Sequence, residues 1–166
     1  PQNRVTGWFA EELTAAELRQ LRVVQYTGSG YAHRARTLDG ALSIPTLVEA
    51  LTVIADRARR LSTPLRVEPE LKNPGFLNAE LARLGNGGGV RVEELLMDAF
   101  AVVGIAVRQG NVSTADGALM IGHVQCFEEA SLAYLRRLYP HIPLLQLVKG
   151  FEDPPETRQP GLLFEL

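Results

Sequence analysis

What this sequence has least of is cysteine: Cys126 is the only one in 166 residues. No disulfide can close within the chain, and the redox compartment stays open. Long apolar runs are missing too; the longest fall far short of the roughly 20 residues a membrane-spanning helix needs. No signal-type hydrophobic segment follows Pro1. An excess of one charge is also absent, since the formal net charge is -2. Lys and Arg are scattered, so the electrostatic footprint of a nucleic-acid-binding protein is lacking. Arg57, Arg59 and Arg60 do cluster, but near the end of a predicted helix, where they oppose the negative end of its dipole. There is no internal repeat and no low-complexity segment.

What is present is an ordinary globular composition. Hydrophobic residues make up 46% of the chain, which is long enough for one domain with a sizeable core. The first residue is Pro1 rather than Met, and the last six, Gly161 to Leu166, are apolar but for Glu165. Both ends are expected to be cuts through a longer protein.

The periodicity predicts an α/β order. Thr14-Ala15-Ala16-Glu17 and Thr46-Leu47-Val48-Glu49 fit capping boxes, in which hydroxyl and carboxylate satisfy each other's backbone amides. They open predicted helices over about 14–22 and 47–61, the second lined by Leu47, Ala50, Leu51, Ile54 and Ala58. Residues 23–43 read as an irregular excursion with room for a small hairpin. A strand is predicted over 65–72, ended by Asn73-Pro74-Gly75. Then come a loop over 76–90 with room for a short helix, a helix over about 91–108 and a polar turn over 109–118. A strand over 119–125, a helix over about 128–139 closed by Pro140 and a strand over 144–148 follow. Such alternation implies parallel strands with helices packed outside.

In parallel α/β folds reactive groups collect at the carboxyl ends of strands. Alternation places Glu68, Glu70 and Lys72 on one strand face at such an end. A carboxylate and an ammonium two residues apart suit a cation plus a phosphate: the carboxylate ligates a hard metal ion, and the ammonium meets ester oxygens. An edge strand with a solvated charged face would show the same pattern.

Five segments, in order, resemble the glycerophosphodiester phosphodiesterase family. They are Thr6-Gly7-Trp8-Phe9-Ala10-Glu11-Glu12-Leu13-Thr14-Ala15-Ala16-Glu17-Leu18, Ile44-Pro45-Thr46-Leu47-Val48-Glu49 and Glu68-Pro69-Glu70-Leu71-Lys72-Asn73-Pro74, then Val124-Gln125-Cys126-Phe127-Glu128 and Pro143-Leu144-Leu145-Gln146-Leu147-Val148. The resemblance implies part of a TIM (β/α)8 barrel, about strands three to five with their helices. Residues 1–166 would form one incomplete domain, with 1–45 the family's insertion region. It further implies hydrolysis of glycerophosphodiesters to glycerol 3-phosphate and an alcohol. Glu70 would be a metal ligand for Ca²⁺ or Mg²⁺. Lys72 would hold the phosphate and stabilise charge in the transition state. Gln125 and Phe127 would line the substrate pocket; Trp8 and Phe9 would pack in the insertion or cover the site. The resemblance tilts toward an extracytoplasmic bacterial setting.

The departures are as informative. The family's His-Arg-Gly motif, its Glu-x-Asp pair and the histidine after that pair are absent, as are its last barrel strands. One carboxylate cannot hold Ca²⁺ or Mg²⁺ tightly, because such ions take about six oxygen ligands or more. The chain alone is therefore expected to be inactive, with catalysis belonging to a longer parent. A non-catalytic phosphodiester-binding or interaction module on the same fold is the alternative, and an enzyme of related fold acting on sphingophospholipids a third option.

Of the remaining candidates, His33 and His141 read as solvated loop residues. His123 shares strand parity with Gln125 and Phe127, and a structural pair with Glu68 below the active site would satisfy both groups. The run Gly85-Asn86-Gly87-Gly88-Gly89 lacks the Gly-Lys-Ser/Thr ending of a phosphate loop and reads as a connector. Cys126 alternates away from the reactive face and reads as a buried structural thiol.

Overall fold

The computed structural model describes residues 9–26, 35–85 and 89–148. Trp8, His33, the segment 161–166 and the middle of the Gly-rich run at 85–89 lie outside the described residues.

Both capping boxes form. Thr14 Oγ1 accepts from the Glu17 amide at 3.3 Å while Glu17 Oε2 accepts from the Thr14 amide at 2.8 Å, opening α1 (Ala15–Leu18). Thr46 and Glu49 repeat the arrangement at 3.2 and 2.7 Å and open α2 (Leu47–Leu61). In the excursion between them, Val23 donates to Leu42 O and accepts from Gly40, at 2.8 and 3.0 Å. Among the described residues of this stretch no regular strand pair forms. Helix α2 buries Leu51, Ala55 and Ala58.

The next elements are β1 (Leu65–Val67), β2 (Glu70–Leu71), α3 (Pro74–Arg83) and α4 (Val92–Val103). After them come β3 (Ile105–Arg108), β4 (Asn111–Thr114), β5 (Leu119–Ile121), β6 (Val124–Cys126), α5 (Glu129–Leu138) and β7 (Leu144–Gln146). The alternation is thus α/β, with several differences from expectation. The strands predicted over 65–72 and 119–125 are each split, into β1 and β2 and into β5 and β6, and the helix predicted over 14–22 ends at Leu18. Helix α3 occupies most of the stretch predicted as loop. The helix predicted over 91–108 stops at Val103, where Gly104 turns at φ 81°, and Ile105–Arg108 becomes a strand. That strand pairs antiparallel with β4, in the supposed polar turn. Burial explains why: Val112, Ser113 and Thr114 are all buried, which a solvated turn would not allow.

Strand pairing sets the architecture. β1 pairs parallel with β5, β2 with β6, and β6 with β7. Consecutive parallel stretches therefore lie side by side in chain order. β4 joins the free side of β5, giving sheet orders β1-β5-β4-β3 and β2-β6-β7. The sheet forks: the segment 119–126 keeps 65–71 along one side, while its other side passes from β4 to β7. Among the described residues the sheets do not close into a barrel, and β1 and β2 are edge strands.

At the fork the register slips. Val67 faces Ile121 and Glu70 faces Gln125, so three steps on one strand match four on the other. One extra residue at Gly122-His123 makes a bulge, which bends the strand and re-aims its side chains. A Cβ on Gly122 would stand 2.7 Å from Glu68 Oε1 and 2.8 Å from Arg66 Cδ, so the bare backbone lets those side chains cross it.

One sheet face is covered by helices. Leu119 and Val124 are fully buried there, in one core cluster with Phe100 of α4 and Leu135 of α5, and Cys126 is fully buried as well. At roughly 25 cal/mol per Å² of apolar surface, this face supplies most of the stabilising burial. The other face carries Arg66, Glu68, Glu70, Gln125 and Phe127, all partly or fully exposed. A polar knot ties the helix layer together. Glu93 is fully buried and accepts from Asn78 Nδ2 (3.0 Å), Arg91 Nη2 (2.9 Å) and Ser131 Oγ (2.8 Å).

Candidate functional site

Lys72 ends the 65–72 run, and Asn73 then takes a left-handed conformation, φ 46° and ψ 47°. Asparagine tolerates that region better than most residues, and it lets α3 begin at once with Pro74. The turn aims the first amides of α3 at the strand ends. Glu128, just past β6, answers them: its Oε2 accepts from the Gly75 amide at 2.9 Å. A Cβ on Gly75 would lie 2.8 Å from that oxygen, so this close approach depends on glycine. A carboxylate at a helix N-terminus is favoured by both the free amides and the dipole.

These groups enclose a cavity of about 180 Å³ at the carboxyl ends of β2 and β6. Its walls include Glu70, Lys72, Asn73, Cys126, Phe127 and Glu128. Lys72 Nζ lies 3.3 Å from Glu70 Oε1, an ion pair whose side chains are 43% and 21% exposed. Glu70 keeps one carboxylate oxygen beyond that contact, and Lys72 keeps donors in reserve. Phe127 is exposed at the rim.

Three of the four candidates from the sequence, Glu70, Lys72 and Phe127, meet in this cavity. Gln125 stands in register with Glu70, but its amide donates to Glu68 O at 3.2 Å, so it borders the cavity rather than lining it. Phe9 is 39% exposed and is not part of the cavity wall. Asn73, Cys126 and Glu128 were not anticipated there. Asn73 and Glu128 each adjoin a candidate in sequence, a signal that only a known strand pairing could have turned into proximity.

Cys126 is fully buried, as expected. Its thiol donates to Leu71 O at 3.2 Å and accepts from the Glu128 amide at 3.2 Å. Burial pushes the thiol pKa up, which keeps it protonated and a poor nucleophile.

The expected Glu68–His123 pair is present across the two strands. His123 Nδ1 lies 3.4 Å from Glu68 Oε1, without hydrogen-bond geometry. His141 is exposed, as expected, in the connection between α5 and β7. Neither histidine lines the Glu70–Lys72 cavity.

The donor set does not by itself fit a Ca²⁺ or Mg²⁺ ion. Among the described residues no three His, Cys, Asp or Glu side chains converge on a metal-sized site. Glu70 is also engaged by Lys72, and Glu128 by a backbone amide. What the arrangement can do unaided is receive an anionic group on Lys72 beside an aromatic rim. Among the described residues no helix is long and apolar enough to cross a membrane. In comparisons with known proteins, no family and no solved structure matches the chain.

Proposed function

We propose that this chain is part of a glycerophosphodiester phosphodiesterase barrel, contributing about strands three to five. The activity of the longer protein would be hydrolysis of a glycerophosphodiester to glycerol 3-phosphate and an alcohol by metal-assisted general acid/base chemistry. One observation carries the reading. Glu70 on β2 faces Gln125 on β6, and Lys72 and Phe127 follow just past the carboxyl ends of these two parallel neighbours, where they share a cavity with Glu70. Parallel strands adjacent in chain order, with helices on one face only, also suit one wall of a barrel whose open face is its interior.

In this proposal Lys72 binds the phosphoryl oxygens and stabilises their charge, and Phe127 packs against the alcohol side of the substrate. Gln125 holds the Glu68 carbonyl and so fixes the spacing of the two strands. Glu70 orients Lys72 and supplies one carboxylate toward a Ca²⁺ or Mg²⁺ site whose other ligands come from elsewhere in the barrel. Proton transfer by histidine is not assigned to this chain.

The test is hydrolysis of glycerophosphocholine by a longer protein containing these residues. Lys72→Gln should lower its kcat/KM by about 100-fold, the size expected for losing a charged transition-state donor. Glu70→Gln should raise the cation concentration required. The 166-residue chain alone should show no turnover, and measurable turnover by it would overturn the reading. The position of His123 and His141 outside the cavity favours one second reading, a phosphodiester-binding module without catalysis. Binding of glycerophosphocholine by the longer protein with no turnover in Ca²⁺ or Mg²⁺ would select it.

A further inference from the structure

A second cavity of about 220 Å³ opens on the same sheet face, at the fork where β4 gives way to β7. It shares no wall residue with the Glu70–Lys72 cavity. Its polar walls come from three separate places: Arg66 on β1, His123 in the bulge after β5 and His141 in the turn before β7. Asn111 of β4 adds an amide, while Met120 and Pro143 form apolar wall.

Two features mark this as an assembled site rather than a surface dimple. The bulge at Gly122-His123 turns the imidazole onto the face that Arg66 occupies, and Gly122 has no side chain to push Arg66 away. His123 Nδ1 is inaccessible to solvent and has no hydrogen-bond partner. A buried ring nitrogen without a hydrogen bond is costly, and the group beside it is the Glu68 carboxylate at 3.4 Å.

The charges decide the ligand class. Arg66 carries one fixed positive charge. His123 and His141 add two imidazole rings whose nitrogens can donate or accept hydrogen bonds. Glu68, 3.4 Å from His123, supplies one negative charge. The hairpin wall of Gly110, Asn111 and Val112 contains no ionisable side chain. A guanidinium beside two imidazoles and the Asn111 amide is a donor set that suits the oxygens of an anionic group. Arginine's planar fork matches phosphate oxygens bidentately.

We propose that this fork cavity is a binding site for a phosphate group, held by Arg66, His123 and His141 and separate from the Glu70–Lys72 site. The apolar wall leaves room for a short substituent, so a phosphate monoester fits as well as the free ion. The proposal does not depend on the phosphodiesterase reading, because its residues are different.

The experiment is a titration of the full 166-residue chain with inorganic phosphate and with ethyl phosphate, followed by ¹H–¹³C NMR of the histidine rings. His123→Gln and His141→Gln assign two of the three ring signals. Both of those signals should move saturably. Arg66→Gln should weaken binding by about tenfold, as expected for losing a bidentate charged contact. Glu68→Gln, which removes the opposing charge, should tighten it by about threefold. Lys72→Gln should leave both signals unchanged. Tighter binding of ethyl phosphate would identify a monoester as the ligand, and equal binding the free ion. Ring signals that do not saturate, an unaltered affinity in Arg66→Gln, or a response to Zn²⁺ in place of phosphate would overturn the proposal.

Discussion

Two carboxylates, Glu93 in the helix layer and Glu70 at the strand ends, both pair with a cation two residues away. Their surroundings differ completely. Glu93 is fully buried, and donors from Asn78, Arg91 and Ser131 use its oxygens. Burial acts most strongly on its carboxyl and would raise the pKa. The hydrogen bonds from Arg91, Asn78, its own helix amide and Ser131 together outweigh that and hold it below the ordinary value. Around it, Asn78 Oδ1 accepts from the Val92 amide, and Tyr134 donates to Glu94 at 2.6 Å beneath the Arg91 guanidinium. Among the described residues Glu70 is paired with Lys72 alone, in a half-open cavity. A saturated buried carboxylate joins helices; an unsaturated one at a strand end is available to a ligand. The same residue type is saturated in one place and left open in the other because of how many donors the fold brings to it.

That contrast can be broken in graded ways. The largest effect should come from Glu93→Ala, which leaves Arg91 without its partner and Asn78 and Ser131 without theirs. Urea denaturation should show a loss of about 3 kcal/mol, the range for removing one member of a buried charged network. Glu70→Ala, by contrast, should cost less than about 1 kcal/mol, as for an exposed pair. Equal losses at the two positions would erase the distinction.

Acid should act through Glu93 as well. Its folded pKa lies below the unfolded value of 4.5. The stabilisation it confers is therefore complete above about that pH and falls away as pH drops through the folded value. The stability gap between the protein and Glu93→Gln should be flat from pH 7 to 5 and narrow below pH 4.5. A gap that widened in acid would contradict the pairing.

A smaller effect belongs to the start of α3. Gly75→Ala should displace the Glu128 carboxylate from the helix amide, at a cost of about 1 kcal/mol in thermal or urea denaturation. Glu128→Gln should cost about the same or less, and its combination with Gly75→Ala should be less than additive. Full additivity would mean that the two residues do not act through one contact.

Local chemistry was legible in the sequence; long-range chemistry was not. Both capping boxes and the limits of α2 follow from residues three apart, which one helical turn brings together. The Glu68–His123 pair follows from strand parity once two parallel neighbours are assumed. The hairpin of β3 and β4 was hidden because Ile105, Ala106 and Val107 prolong the apolar run of α4, with Gly104 the sole stop signal. The extent of α3 was missed because its start follows from the left-handed turn at Asn73. Glu93 looks like any acidic residue in a first helical turn, since its partners Asn78 and Ser131 are 15 and 38 residues away. Of the cavity wall, Glu70, Lys72 and Phe127 were candidates from the sequence, while Glu128 became visible only through its contact with the start of α3.

The central claim is that the Glu70–Lys72 strand end receives a phosphodiester. The most direct measurement is ¹⁵N NMR of the full chain during titration with glycerophosphocholine, following the amides of Glu70 to Asn73 and Gln125 to Glu128. The account predicts saturable shifts at those amides that vanish in Lys72→Gln. Shifts that persist in Lys72→Gln, or none at saturating ligand, would contradict it.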